Sequence, residues 1–201
     1  MKRLNLHAIG LALILTGAFT VSAEAQFINF DNATTNGTGT RINMGYSGFD
    51  WSNFYLINTE VLYSIYGYYP NDGFINNIVS LPNIAFNGYG NPATISSGLP
   101  FTLTSAYLGS GQWDDNQVDI QGYNGATLVY DNTYTVSTEG PAIFETFNYV
   151  DVTSVTFTTS DGIFTMDELS INGAAPEPSQ YGLFIAIAVT GLVAARRFRT
   201  D

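Results

Sequence analysis

The sequence predicts an all-β fold: an antiparallel β-sandwich, jelly-roll-like in type, flanked by an N-terminal signal helix and a short C-terminal membrane helix. Three observations predict the sandwich. Between its two ends the chain lacks helical periodicity, it is rich in Tyr, Phe, Thr, Val, Ile, Asn and Gly, and its short alternating runs are separated by turn residues. Short antiparallel strands at regular spacing are typical of sandwiches and jelly rolls.

The predicted strands follow one another through the second half of the chain. Residues 117–123 alternate between polar and apolar, Asn124-Gly125 is a strong hairpin signal, and residues 126–130 return as the partner strand. Further strands are predicted over 101–108, 133–137, 142–147, 150–158 and 163–171. The core is expected to contain Trp51, Val152, Val155, Phe157, Phe164, Met166, Leu169 and Ile171.

Residues 63–97 have a different composition, in which Tyr and Phe are interleaved with Gly, Pro, Asn and Asp. This pattern predicts a long, turn-rich insertion. Long loops inside compact domains usually carry function, so this segment is a candidate source of binding residues.

The first 25 residues have the three parts of a secretory signal peptide. Lys2 and Arg3 form the charged start, residues 4–21 are mainly apolar, and Ala23-Glu24-Ala25 supplies the small residues at the cleavage site. We therefore expect export by a Sec-type route and cutting by signal peptidase, with Gln26 as the mature N-terminus. The alternative is an N-terminal anchor that is never cut.

The last 26 residues have a recognisable order of parts. Pro176-Glu177-Pro178 precedes an apolar run at 182–195, and Arg196, Arg197 and Arg199 follow it. The run is shorter than the roughly 20 residues of a stable membrane span, and the positive-inside bias would leave the terminal arginines cytoplasmic. This order resembles the PEP-CTERM sorting signal of Gram-negative exopolysaccharide producers. The resemblance implies an exosortase-like processing enzyme and transient anchoring in the inner membrane; an ordinary single-span anchor is the alternative.

The middle of the chain also resembles this group. Short motifs at residues 48–54, 85–88, 122–123 and 166–169 are similar to those of uncharacterised PEP-CTERM extracellular domains. The resemblance implies a location in the cell envelope or outside the cell, and it implies no particular chemistry.

Charge and composition exclude several classes of function. Arg41 is the one basic residue between residues 26 and 175, against fourteen Asp and Glu, and this segment has no His, Cys or Lys. So acidic a surface repels phosphate, which argues against a nucleic-acid partner. The composition also excludes a Ser-His-Asp triad, a thiolate or His metal site and a Schiff-base lysine. Carboxylate chemistry and oxygen-bound metals remain.

A structural calcium site is the first candidate. If the first and last strands of the sandwich run side by side, Asp31 comes near Asp167 and Glu168, and calcium prefers such oxygen ligands. The final strand is similar to that of jelly-roll carbohydrate-binding modules, a resemblance that implies a calcium role for Asp167 and Glu168. The alternative is a set of solvated carboxylates or a turn Asp bonded to backbone amides. The acids Asp114, Asp115 and Asp119 are better explained by a solvated turn.

An aromatic glycan site is the second candidate. Trp113, Tyr66, Tyr68 and Tyr69 could stack on sugar rings while neighbouring Asn and Asp side chains bond the hydroxyls. The alternative is that these aromatic residues belong to the core or the sheet edges, as Trp51 is expected to. Fourteen carboxylates also allow a glycosidase pair, but nothing in the sequence singles one out.

The leading interpretation is a signal peptide (1–25), a β-sandwich ectodomain (26–175) and a sorting tail (176–201). We expect a non-enzymatic, exported domain that makes weak carbohydrate or calcium contacts within an exopolysaccharide or biofilm matrix. A carboxylate-based glycan hydrolase or lyase, and a purely structural or adhesive surface protein, are the alternatives.

Overall fold

Ten strands and two short helices make up most of the described chain. The computed structural model describes residues 25–35, 37–67, 69 and 71–173. The elements are β1 (Ala25–Ile28), β2 (Thr40–Arg41), β3 (Asp50–Ser52), β4 (Phe54–Asn58), α1 (Thr59–Tyr66), α2 (Gly73–Asn76), β5 (Asn83–Asn87), β6 (Ala93–Ser110), β7 (Asn116–Asn124), β8 (Thr127–Val136), β9 (Ile143–Thr159) and β10 (Phe164–Asn172). Single 3-10 turns lie at Tyr46–Gly48 and Gly88–Gly90. The predicted all-β antiparallel class is confirmed.

The described strands pair in the order β2-β4-β5-β10-β6-β9-β7-β8, with β1 added to β10 and β3 to β6. Every pairing is antiparallel. The hairpin between β7 and β8 is confirmed: Asn124 pairs with Thr127, and Gly125 adopts the left-handed backbone, φ +59°, that such a turn requires.

Bulges bend the two longest strands. The β6–β9 pairing shifts register three times, and in β9 Asn148 and Asp151 have φ of 52° and 56°. A bulge adds a residue to one strand, turns it and interrupts the alternation of its side chains. For this reason β9 is one strand over Ile143–Thr159, where the sequence pattern predicted two. Likewise β8 is one strand over Thr127–Val136, where the sequence predicted separate strands over 126–130 and 133–137.

One large hydrophobic cluster joins the strands into a sandwich. Trp51, Phe54, Phe157 and Phe164 are at most 2% exposed, and Phe54 makes edge contacts with the other three rings. Burying an aromatic side chain of this size contributes roughly 2–3 kcal/mol. All the residues predicted for the core are buried: Trp51, Val152, Val155, Phe157, Phe164, Met166, Leu169 and Ile171.

The prediction of a turn-rich insertion at residues 63–97 was wrong in one respect. The segment contains the second half of α1, all of α2 and also β5, whose five residues are buried between β4 and β10. Asn58 and Asp72 cap the two helices by accepting bonds from the N–H groups of Val61 and Phe74. Elements of four to eight residues are too short for their period to appear in the sequence.

The first and last described strands lie side by side, as predicted. Ala25 pairs with Asn172, and Ile28 pairs with Leu169. In the part of the chain that the structure describes, neither helix has the length and apolarity needed to cross a bilayer. The signal-peptide residues up to Ala23 and the sorting motif, Pro176, Glu177, Pro178, Arg196, Arg197 and Arg199, lie outside the described residues, so both remain predictions.

Candidate functional site

Trp113 lies on a loop that is fixed by hydrogen bonds to Ser110 and Ile163. The loop leaves β6 at Ser110, whose hydroxyl accepts a hydrogen bond from the Trp113 N–H at 3.3 Å, and Gly111 N–H donates to the Ile163 carbonyl at 2.8 Å. The Trp113 ring covers Gly162 so closely that any side chain at that position would overlap it. The indole is nevertheless 55% exposed. A large aromatic surface is therefore presented to solvent on a supported loop.

Asp114 fixes the end of the same loop. One oxygen of its carboxylate accepts hydrogen bonds from the Ser137 hydroxyl and from both the N–H and the hydroxyl of Thr138, at 2.6–2.9 Å. These donors hold the pKa of Asp114 below its ordinary value. The predicted role of a turn carboxylate fits this geometry.

A first cleft opens between the helical segment and this loop. It has about 600 Å³ of free volume and is lined by Leu62, Tyr69, Asn71, Asp72, Phe74, Gly111 and Gln112. Tyr69 is 60% exposed. The first cleft therefore combines aromatic and aliphatic side chains with amide and carboxylate groups, the mixture that fits a small polar ligand with apolar faces.

A second cleft shares Gln112 with the first. It has about 500 Å³ of free volume and is lined by Tyr89, Gly90, Gln112, Thr159, Ser160, Asp161, Gly162 and Ile163. Gln112 thus lines both clefts, and Trp113 covers Gly162 at the border of the second one. Among the described residues, no Lys or Arg side chain lines either cleft.

The loops around the second cleft are joined by buried polar side chains. The Asn116 amide nitrogen donates to the Ser110 hydroxyl, and its oxygen accepts from the Ser160 hydroxyl and the Asp161 N–H, at 3.3–3.4 Å. Asn116 and Ser110 are at most 2% exposed. Loops fixed from the interior in this way present their outer side chains in a defined arrangement.

Asp167 forms a separate, buried polar site on β10. It is 1% exposed, and its Oδ2 accepts from the N–H groups of Val79 and Ser80 at 2.9 Å. Its Oδ1 accepts from the Glu168 N–H at 2.8 Å and the Ser80 hydroxyl at 3.3 Å. Burial raises the pKa of Asp167 to about 6, the backbone donors act in the opposite direction, and the charge of Asp31 adds to the rise.

Asp31 completes the predicted pair from the β1 side. Its Oδ2 accepts from the Asn29 amide at 2.8 Å, while its Oδ1 is buried without a hydrogen-bond partner. Glu168 contributes its backbone N–H. Across residues 25–173, leaving out positions 36, 68 and 70, no three or more His, Cys, Asp or Glu side chains form a group that could hold a metal. The charge of Asp31 thus acts on the pKa of Asp167, and the described residues form no three-carboxylate cage.

No family model matches the chain, and no curated protein matches it. Similar solved structures include a DUF4465 family protein from Bacteroides ovatus, at 10% identity over 75% of this chain and 99% of that chain, with a TM-score of 0.46. A family 32 carbohydrate-binding module from C. perfringens NanJ, in complex with galactose, has 14% identity over 65% and 97% of the two chains and a TM-score of 0.36. These values are too low to transfer a ligand or a residue role.

The structure places the three described residues of the predicted glycan set, Trp113, Tyr66 and Tyr69, apart from one another. Tyr69 lines the first cleft and Trp113 borders the second, whereas Tyr66, 57% exposed on α1, lines neither, and Tyr68 lies outside the described residues. Sequence reasoning missed Gln112 and Tyr89 as site residues. Tyr89 stands in a Gly-Tyr-Gly run, and this run was the available signal that a side chain is being displayed on a tight turn.

Proposed function

We propose that this chain is a non-enzymatic, exported domain that binds neutral carbohydrate through its two clefts. The observation that carries the proposal is the pair of open clefts that share Gln112. Tyr69 lines the first cleft, Trp113 covers Gly162 at the second, and both aromatic side chains are more than half exposed. Sugar rings present apolar faces and hydroxyl edges, and such clefts offer a stacking surface for the faces and amide and carboxylate groups for the edges. A jelly-roll version of the sandwich is part of this proposal.

The proposed location follows from the two ends of the sequence. A signal peptide cut after Ala25 and a sorting tail at 176–201 would bring the domain to the envelope or the exterior, with transient anchoring in the inner membrane. The proposed partners are the Sec-type export system, signal peptidase, an exosortase-like enzyme and an exopolysaccharide. No nucleic acid is proposed as a partner, because the segment 26–175 carries a single basic residue.

Retention on immobilised polysaccharides tests the binding. The full-length protein would be passed over galactan, mannan, xylan and β-glucan. We expect retention on at least one of these, and we expect Trp113→Ala and Tyr69→Ala each to weaken it by about tenfold, because each change removes a stacking surface. Phe144→Ala is the matched control, since Phe144 is also 55% exposed but lines neither cleft.

Two results would contradict the proposal. Equal retention of the wild-type protein and both cleft variants would remove the clefts from the function. Release of reducing ends from a retained polysaccharide, abolished by changing one carboxylate, would replace it with the hydrolase or lyase alternative.

We also propose a structural calcium ion between Asp31 and Asp167. The buried Oδ1 of Asp31 has no hydrogen-bond partner, and the charge of Asp31 adds to the rise in the pKa of Asp167. Calcium prefers oxygen ligands, and these two carboxylates with nearby backbone carbonyls would hold it. The Glu168 carboxylate is left out of the proposed ligand set, since Glu168 contacts Asp167 through its backbone N–H.

Thermal unfolding with calcium or with chelator tests the ion. We expect calcium to raise the unfolding temperature of the wild-type protein, because an ion that binds only the folded state stabilises it. Asp31→Asn should abolish this rise, and Glu168→Gln, the matched control on the neighbouring carboxylate, should retain it. A rise of equal size in all three proteins, or no rise in the wild type, would remove the site.

A further inference from the structure

Tyr89 is the most exposed large apolar side chain in the described part of the chain, at 84%. It lies at the tip of the Gly88–Gly90 turn that connects β5 to β6. Its ring makes one edge contact, with Tyr55, at a centroid distance of 6.1 Å. A tyrosine held out in this way contributes little to the core, so its conformation calls for another explanation.

The backbone at Tyr89 is also strained. Its φ is +58°, in the left-handed region that costs a residue with a side chain about 1–2 kcal/mol. Strain of this kind persists only where the surrounding structure imposes it, and it is concentrated at functional sites. Glycine would occupy the position without strain, and yet the chain places a large aromatic residue there.

The turn that carries Tyr89 is clamped on two sides. The Asn53 side-chain amide donates to the carbonyls of Gly88, Asn91 and Pro92 at 3.0–3.1 Å. On the other side Gly90 lies against the Gly162 carbonyl so closely that a side chain would overlap it. The position of Tyr89 is therefore fixed relative to the loop that contains Gly162, which Trp113 covers.

We propose that Tyr89 and the second cleft form a second sugar subsite, so that the ligand is an internal segment of a neutral polysaccharide lying across Gln112. This inference rests on the proposed carbohydrate function and names its ligand class. Gln112 lines both clefts, so a chain of sugars that leaves the first cleft meets Tyr89 in the second. A single sugar would fill one cleft and leave the second aromatic surface unused.

Charge selects against acidic polysaccharides at this paired site. Asp72 lines the first cleft and Asp161 the second, and the described part of the chain puts no basic side chain in the lining of either. A polyuronate would bring negative charge to both carboxylates without a compensating cation. We therefore expect neutral chains to bind and polyuronates to be rejected most strongly at low ionic strength.

Calorimetric titration of the full-length protein tests the second subsite. The ligands are oligomers of one to six units of whichever neutral polysaccharide is retained, with polygalacturonate as the acidic comparison. We expect affinity to rise with chain length for the wild-type protein. For Tyr89→Ala we expect about a tenfold weaker affinity for the longest oligomer and unchanged affinity for the shortest. Tyr89→Gly should show the same loss without a lower unfolding temperature, because glycine relieves the strained φ.

The outcomes separate this inference from the carbohydrate function itself. Retention that Tyr69→Ala weakens but Tyr89→Ala leaves unchanged at every chain length would overturn the second subsite and keep the first. Equal affinity for one unit and for six would do the same. A wild-type protein that binds none of the neutral polysaccharides would overturn both, and tight binding of polygalacturonate would overturn the charge argument.

Discussion

Asp167 shows how a single buried carboxylate makes the stability of this domain depend on pH. Its pKa is about 6 in the folded protein, against 3.8 for an unperturbed Asp, because burial disfavours the charged form. Between these two values the folded state binds more protons than the unfolded state. The stability contributed by this group is therefore fully present below pH 3.8 and is lost as pH rises through about 6.

We expect the free energy of unfolding of the wild-type protein in chelator to fall as pH rises from 4 to 7, and Asp167→Asn to flatten this dependence. The difference between the two proteins should be on the order of 2 kcal/mol over the interval. Urea denaturation at several pH values measures it. Asp115→Asn is the control, since Asp115 is exposed, and parallel curves for the wild type and Asp167→Asn would contradict the prediction.

For single residues, the sequence predicted which side chains would lie near the Asp167 site better than it predicted how those side chains are arranged. The pairing of β1 with β10 could be predicted, and with it the approach of Asp31 to Asp167. The buried, unpartnered Oδ1 of Asp31 could not be predicted, and neither could the bonds from Val79 and Ser80 to Asp167, which join residues 87 or more positions apart. A three-carboxylate set including Glu168 was expected, and the structure supplies only its backbone N–H.

Among the elements, the turn between β5 and β6 is held by a side chain that lies far from it in the sequence. Asn53 has φ of +58°, so its own backbone is in the left-handed region while its amide bonds three carbonyls of the neighbouring turn. The sequence shows an Asn followed by a strand and gives no indication of contacts 35 or more residues away. This clamp determines where Tyr89 stands.

Asn53→Gly should destabilise the domain by about 1–2 kcal/mol and weaken binding of the long oligomer as Tyr89→Ala does. Glycine keeps the left-handed backbone available, so the loss reflects the amide bonds. Asn148→Gly is the matched control, because Asn148 also has positive φ, 52°, and is exposed in the β9 bulge. Equal unfolding midpoints in urea for the two variants would contradict the assigned role of the clamp.

For elements in general, the sequence pattern predicted best where alternation is regular. The β7–β8 hairpin satisfies both the turn rule and the alternation rule, and its turn lies where predicted. In β9 the bulges at Asn148 and Asp151 interrupt the alternation, and one strand was therefore predicted as two. Residues 63–97 include a strand buried on both faces, which looks in sequence like any short apolar run.

Considered as a whole, the molecule carries a large negative charge, with a net charge of −11 over the full chain and Arg41 as the one base between residues 26 and 175. Self-repulsion of this size keeps such a domain soluble and also lowers the stability of the compact state. The same field acts on any ligand that approaches the clefts. An uncharged polysaccharide avoids this repulsion. The repulsion comes from the whole surface and adds to that of the two cleft carboxylates.

The pairing of β1 with β10 also places both ends of the described chain at the same end of β10. Ala25 and Asn172 lie next to each other at one end of β10, while residues 159–163 of the second cleft immediately precede its other end. The nine residues of β10 separate the two by at most about 30 Å. If the chain is held by anything beyond residue 173, β10 acts as a spacer and the clefts point away from the point of attachment, toward material at a distance from the cell.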